Sequence, residues 1–225
     1  MEYDFYWISG SPNAWRAMLA LEYKDVSYNS HRLDASKQEH KSSAFLTLNP
    51  QGKVPVLKHG DTVVCESIAI MAYLESVHPK SPLFGVTAAE TGLVWQRIFE
   101  FVNGLRDLID DGVVRPLSQG LKPDSKDALT AATIAVHESL ARLEAVLGVT
   151  DYLAGDRVSA ADFTVVPNLL MLMRLGIRPD VLALELRFND VRSTYPAIAK
   201  WLARLEALPA FDAAYPPHWL LSSGG

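Results

Sequence analysis

Two prolines and a glycine fall within eight residues at His78-Pro79-Lys80-Ser81-Pro82-Leu83-Phe84-Gly85, and the hydrophobic pattern changes across them. Such a cluster interrupts any helix, and a chain of 225 residues has room for a domain on each side. Ahead of the break, short apolar runs alternate with stretches of helical spacing. Behind it, every readable segment is helical. An α/β first domain of residues 1–78, a connector of 79–86 and an all-α second domain of 87–225 are therefore expected.

In the first domain Phe5-Tyr6-Trp7-Ile8 is rich in aromatic and β-branched residues and reads as a strand. Gly10-Ser11-Pro12-Asn13 follows, and then Trp15, Met18 and Leu19 recur at helical spacing, flanked by Ala14, Ala17 and Leu21, as far as Lys24-Asp25. Proline at the first helical position makes Ser11 the N-cap. A hydroxyl and unpaired backbone N–H groups at a helix start can hold an anion, although capping alone also accounts for Ser11.

Further on, the loop Asn49-Pro50-Gln51-Gly52 leads into Lys53-Val54-Pro55-Val56-Leu57, where Pro55 cannot donate to a strand ladder. An edge strand, a first strand residue or a cis Val54-Pro55 bond would each accommodate it. His59-Gly60-Asp61 then turns Val56-Leu57-Lys58 back into Thr62-Val63-Val64. Cys65-Glu66-Ser67 precedes Ile70, Tyr73, Leu74 and Val77, so Glu66-Ser67 is a second helix start.

In the second domain Thr87-Ala88-Ala89-Glu90 has capping-box spacing, and Val94, Ile98, Phe101, Leu105 and Leu108 form a helical stripe behind it. Leu129, Ala132, Val136, Leu140, Leu143 and Leu147 form another. Ser159-Ala160-Ala161-Asp162 is a second box with a carboxylate in third place, and Thr194-Tyr195-Pro196 opens a last long helix through Trp201 and Leu205. The Ser-Ser-Gly-Gly tail is expected to be disordered.

Composition excludes several function classes. Apolar residues make up 49% of the chain, enough for a sizeable core, yet no uncharged apolar run reaches membrane-spanning length. The formal net charge of −5 is spread without a basic block, which argues against nucleic acid as the partner. A single cysteine rules out an internal disulfide framework, and Met1-Glu2-Tyr3-Asp4 carries acids where a signal peptide would carry Lys or Arg, so a cytoplasmic protein is expected. No metal-ligand pattern is present.

The order strand, Ser-Pro-Asn helix, strand, short helix, Asn-Pro-x-Gly-x-Val-Pro strand, hairpin and Glu-Ser helix resembles the cytosolic glutathione transferases of the serine type, with a theta-, zeta- or nu-like start. The resemblance runs nearly the whole chain, since Asp151 to Leu170 is similar to that family's second domain. It implies the glutathione transferase fold, a thioredoxin-like N-terminal domain followed by an all-helical one, with Pro55 after a cis bond and with Ser159 and Asp162 as folding residues of the helical core.

The resemblance also implies how glutathione, as co-substrate, is read. Ser67 at its helix N-terminus takes the γ-glutamyl carboxylate, where the dipole favours an anion, and Glu66 pairs with the ammonium. The middle of the peptide lies along Val54 as an added strand. His40 and Lys53 fall where related transferases hold the glycyl carboxylate. The thiol then reaches Ser11, which donates to the sulfur, with Asn13 as a second donor; Ser9 is a nearby alternative at the strand end. The implied activity is that of a glutathione S-transferase: a stabilised thiolate attacks a small electrophile, in detoxification-type conjugation, in a C2 homodimer. A disulfide or peroxide reductase on the same site, or a non-catalytic binding module, are the alternatives.

The departures also carry information. No cysteine precedes Cys65, so mixed-disulfide chemistry at the first helix is not expected, and Cys65 reads as a buried, inert thiol. No tyrosine stands at that family's strand-end position; Tyr6 is expected within the strand and Tyr3 just outside it. The Ser-Pro-Asn start differs from the Ser-Ser-Cys of isomerase-type relatives, which argues against maleylacetoacetate isomerisation. For the electrophile pocket, Phe99, Asn103, Arg106 and Trp219 are the candidates, although helical stripes of this kind are more often core.

Overall fold

The computed structural model describes residues 2–120, 122 and 125–220; the Ser222-Ser223-Gly224-Gly225 tail lies outside them. In chain order the strands are β1 (Tyr3–Trp7), β2 (Tyr28–Arg32), β3 (Val56–His59) and β4 (Thr62–Cys65). The helices are α1 (Pro12–Tyr23), α2 (Ser43–Leu48), α3 (Ser67–Val77), α4 (Ala88–Glu100), α5 (Arg115–Ser118), α6 (Lys126–Leu147), α7 (Ala160–Gly176), α8 (Pro179–Leu182), α9 (Val191–Thr194), α10 (Pro196–Glu206), α11 (Pro209–Ala214) and α12 (Pro217–Leu220). Two compact units form: Met1–Phe84 together with the described residues from Glu206 on, and Gly85–Leu205.

The first unit is a four-stranded sheet in the order β2-β1-β3-β4, with β1 parallel to β2 and antiparallel to β3. Alternation along β1 buries Tyr3, Phe5 and Trp7, while Asp4 and Tyr6 on the other face are half-buried. Helix α1 is buried from Ala14 through Leu21 because it packs on α3 and also on α11. Pro55 precedes the first residue of β3, so its missing N–H removes no ladder bond, and Val54-Pro55 is cis. The β3–β4 hairpin turns at Gly60-Asp61, with Gly60 at φ +60°.

The division of the chain differs from the expected one at both ends of the helical domain. Lys24, whose side chain is fully buried, pairs with Glu75 at 2.6 Å and donates to the carbonyls of His78, Lys80 and Ser81. Glu75 in turn accepts from Leu83 N, so most of the expected connector 79–86 is built into the first unit. At the other end, α11 and α12 join the first unit because Trp15 packs its indole against Phe211, Tyr215 and Trp219 at 5.4–5.5 Å between ring centroids.

The second unit is built of helices and connecting loops, with an isolated bridge between Tyr152 and Gly155 and no strand among its described residues. Thr87 and Glu90 close a capping box on α4. After Glu100 the helix continues with the wider i→i+5 turn over Phe101–Leu105 and Leu108–Val114. The core positions there are Phe101, Leu105, Ile109, Val113 and Leu117, one every fourth residue. Ile109 therefore takes the inward place expected of Leu108, because a 3.6-residue turn would have alternated steps of three and four. Asp162 is fully buried: Leu153 N and Trp201 Nε1 donate to one oxygen, Ser159 N and Oγ to the other, at 2.8–2.9 Å. Burial pushes its carboxyl up despite those four bonds, each of which favours the anion.

Candidate active site

Three local structures of the first unit carry the candidate residues, and the chain builds each for a local reason. Gly10, at φ +83°, makes the turn after β1, and Ser11 N donates to Ile8 O at 3.1 Å. Ser11 then caps α1, its Oγ accepting from Ala14 N at 3.3 Å. The cap uses a lone pair of the hydroxyl and leaves its proton available to another acceptor. Ser9 is engaged differently, its Oγ lying 2.7 Å from Nδ1 of His218 on α12.

The second structure is the loop into β3. Asn49 is buried; its Nδ2 donates to Lys53 O at 2.7 Å and its Oδ1 accepts from Gln51 N. Gly52 sits at φ +58°, and a Cβ there would stand 2.7 Å from Lys41 Nζ and 2.9 Å from His40 O. Glycine is required on both counts. Lys41 thus lies directly over this loop, donating to Gln51 O at 3.1 Å. His40 Nδ1 is buried without a hydrogen-bond partner among the described residues, Lys53 is exposed, and Val54 is half-buried beside Pro55.

The third is the start of α3. Glu66 has φ +70° and ψ 119°, a conformation costly for a residue with a Cβ. Its exposed carboxylate has no hydrogen-bond or ion-pair partner among the described residues. Ser67 follows as the first helical residue, buried at 5% exposure, with the unpaired N–H groups of a helix start beside it. An N-terminal turn with a free carboxylate next to it suits a ligand bearing an anion and a cation on adjacent atoms, as an α-amino acid does.

Arg16 joins the first and third structures, and sequence reasoning missed it. It is 1% exposed, and its Nη1 donates to Asn13 Oδ1 and, at 3.3 Å, to Ser67 Oγ. The available signal was one guanidinium inside the otherwise apolar run Ala14 to Leu21. Asn13 is exposed, and its carbonyl is turned to Arg16 rather than left open. Lys41 was missed as well, since only the fold lays it over Gly52.

Other candidates are not part of these three structures, although Cys65 directly precedes Glu66 and Trp219 Nε1 would lie 3.7 Å from a Cβ on Gly10. Cys65, expected to be buried, is half-buried at the end of β4; burial and the neighbouring Glu66 push its thiol up, so it is a poor nucleophile. Tyr3 bonds His78 and Tyr6 stacks on His31, neither on the Ser11 loop. Of the pocket candidates, Trp219 is buried against Trp15, Phe99 is exposed and stacked on Trp95, and Arg106 bonds its neighbour Asp107. A cavity of about 290 Å³ in the second unit is lined instead by Arg97, Leu105, Ser139 and Arg142 among others.

Known proteins are similar to this chain in sequence and in fold. The glutathione S-transferase N-terminal domain family matches residues 1–76, and its C-terminal domain family matches residues 107–209. Glutathione S-transferase A of Pleuronectes platessa is 31% identical over 230 residues, covering 97% of this chain and 93% of that protein. A probable maleylacetoacetate isomerase of Caenorhabditis elegans is 30% identical, over 94% of this chain and 91% of that protein. The crystal structure of a glutathione S-transferase from the Antarctic clam Laternula elliptica superposes with a TM-score of 0.82 at 32% identity, covering 98% of this chain and 94% of that one. A thioredoxin-like N-terminal domain followed by an all-helical C-terminal one is the fold of the glutathione transferase class. This chain belongs to the cytosolic glutathione S-transferase family and is an enzyme of that kind.

Proposed function

We propose that the first unit binds glutathione, holds its thiol as the thiolate at Ser11 and delivers it to an electrophilic carbon of a small molecule. The observation that carries this is the Ser11 cap, in which the hydroxyl accepts from Ala14 N and keeps its own proton to donate to sulfur. A free thiol has a pKa of about 8.5, and lowering it by two units requires about 2.7 kcal/mol in favour of the anion. A hydroxyl bond to an ionised partner contributes about 1.5–3 kcal/mol, and a helix N-terminus about 0.3–1. Ser11 therefore need not act as a base. Asn13 contributes its amide N–H2 on the same turn.

The rest of the tripeptide is matched group by group. Glu66 takes the ammonium, Ser67 with the start of α3 takes the γ-glutamyl carboxylate, and the Val54 backbone exchanges bonds with the peptide's middle. The unpartnered His40 Nδ1, with Lys53 and Lys41 beside Gly52, supports a cationic end for the glycyl carboxylate. Orientation of the thiolate toward its target supplies further rate. The enzyme is inferred to work as a homodimer in the cytoplasm.

The test compares turnover of a chlorodinitrobenzene with that of a small disulfide, both with glutathione. Conjugation with little disulfide reduction is expected. Activity on the disulfide alone would instead assign a reductase, and no activity with either, together with no glutathione binding, would leave a non-catalytic module.

A further inference from the structure

Parallel β1 and β2 end side by side, with Trp7 in register with Arg32, and ligands of open α/β sheets bind beyond the carboxyl ends of such strands. Beyond these two ends lies a cavity of about 470 Å³, lined by Ser9, Arg32, Leu33, Asp34, Ser36 and His218 among others. It adjoins the Ser9-Gly10-Ser11 turn, so whatever occupies it stands next to the loop that presents the Ser11 hydroxyl. Its wall is held in place: Leu33 N donates to Trp7 O at 2.7 Å, and His218 is bonded to Ser9 and packs over Gly10, where a Cβ would meet its ring at 2.7 Å.

The charges on this wall are not equivalent. Asp34 is occupied by Ser36 N, Ser36 Oγ and Lys37 N at 2.6–3.4 Å, with Lys37 Nζ 3.6 Å from its second oxygen. Arg32 has no carboxylate partner among the described residues; its guanidinium lies over the Trp7 ring, 5.8 Å from the centroid. Arg32 is exposed, and a guanidinium resting against an indole keeps its planar fork of donors available to take a carboxylate through two bonds. Of the other lining residues Ser9, Ser36 and His218 are polar and Ile8, Leu33 and Ala35 apolar, so the cavity suits an occupant with both an apolar body and a polar group.

We propose that this cavity receives the electrophile, and that Arg32 selects electrophiles carrying a carboxylate a short way from the reacting carbon. The proposal rests on the thiolate reading above and names the substrate class of that site. For an aryl chloride the thiolate sulfur attacks the ring carbon, the S–C bond forms, the C–Cl bond breaks, and chloride leaves with the bonding pair. The carboxylate takes no part in the bond changes and stays on Arg32.

The experiment uses the full chain with glutathione and two electrophiles, 4-chloro-3,5-dinitrobenzoate and its methyl ester, each rate divided by its uncatalysed rate. The normalised kcat/KM should favour the acid about tenfold, equivalent to about 1.4 kcal/mol. In Arg32→Gln the ratio should fall to near one, and Arg32→Lys should keep part of it. A wild-type ratio near one, or a ratio unchanged by Arg32→Gln, overturns the assignment while leaving the thiolate reading intact. In parallel, calorimetry measures binding of the two S-aryl glutathione conjugates, which reads the same preference without turnover. Equal affinities refute the role of Arg32, and no binding of either conjugate overturns both this inference and the glutathione site beneath it.

Discussion

Ser11 holds two roles in one side chain, and two substitutions separate them. Its Oγ accepts from Ala14 N, so Ser11→Ala removes a helix cap at a cost of about 1 kcal/mol of stability. The same change removes the donor to sulfur. A hydroxyl bond to an anion is worth about 1.5–3 kcal/mol, so the bound thiol's pKa should rise by about one to two units. Ser11→Asp behaves differently, because aspartate caps about as well as serine but places a carboxylate beside the sulfur. At about 4 Å the repulsion is about 1 kcal/mol in a water-like medium and about 4 at an effective dielectric of about 20, which raises the thiol pKa by about one to three units. Stability should therefore rank wild type with Asp above Ala, and thiol acidity wild type above both variants. Urea unfolding gives the first order, and ultraviolet thiolate absorbance of the glutathione complex against pH gives the second. An Asp variant that binds glutathione with a wild-type thiol pKa, or an Ala variant whose titration is unshifted, would refute the role given to Ser11.

Other substitutions test the supporting parts. Glu66→Gly relieves the positive φ at position 66 and should stabilise the fold by about 0.5–1 kcal/mol while weakening glutathione binding at least tenfold; a variant that melts lower, or binds unchanged, contradicts this. Arg16→Met removes the donor to the buried Ser67 hydroxyl and should cost about 1–3 kcal/mol in unfolding free energy along with glutathione affinity; strictly additive losses on combination with Ser67→Ala would show the two side chains to be uncoupled. In Asp162→Asn a single amide oxygen replaces two carboxylate oxygens that take four donors, so at least about 3 kcal/mol should be lost in denaturant unfolding; a loss below about 1 kcal/mol would mean the bonds of Asp162 contribute little.

The features readable along the chain were those set by neighbours in sequence. Ser-Pro specifies a helix start because a cap and a missing N–H act within one turn, and Gly60-Asp61 specifies a hairpin because only a few loops join strands so closely. The two capping boxes, at Thr87 and Ser159, were legible for the same reason. Leu108 misled because the hydrogen-bond pattern within a helix, 3.6-residue or wider, is not encoded in apolar spacing alone.

Long-range pairing was not legible. Arg16 reaches Ser67 across 51 residues, Lys41 covers Gly52 only once α2 and the loop into β3 are folded together, and His218 meets Ser9 across 209 residues. The apolar run around Arg16 hints that it is buried, but nothing in the sequence names the partner of any of these residues. The Ser-Pro helix start, the hairpin, the capping boxes and the cysteine-free first helix were thus determined by the sequence alone, because local backbone sterics and hydrogen bonding decide them. Which charges are buried, which are satisfied and which stay open to a ligand was decided by tertiary structure, because desolvation and pairing depend on partners that only packing brings within reach.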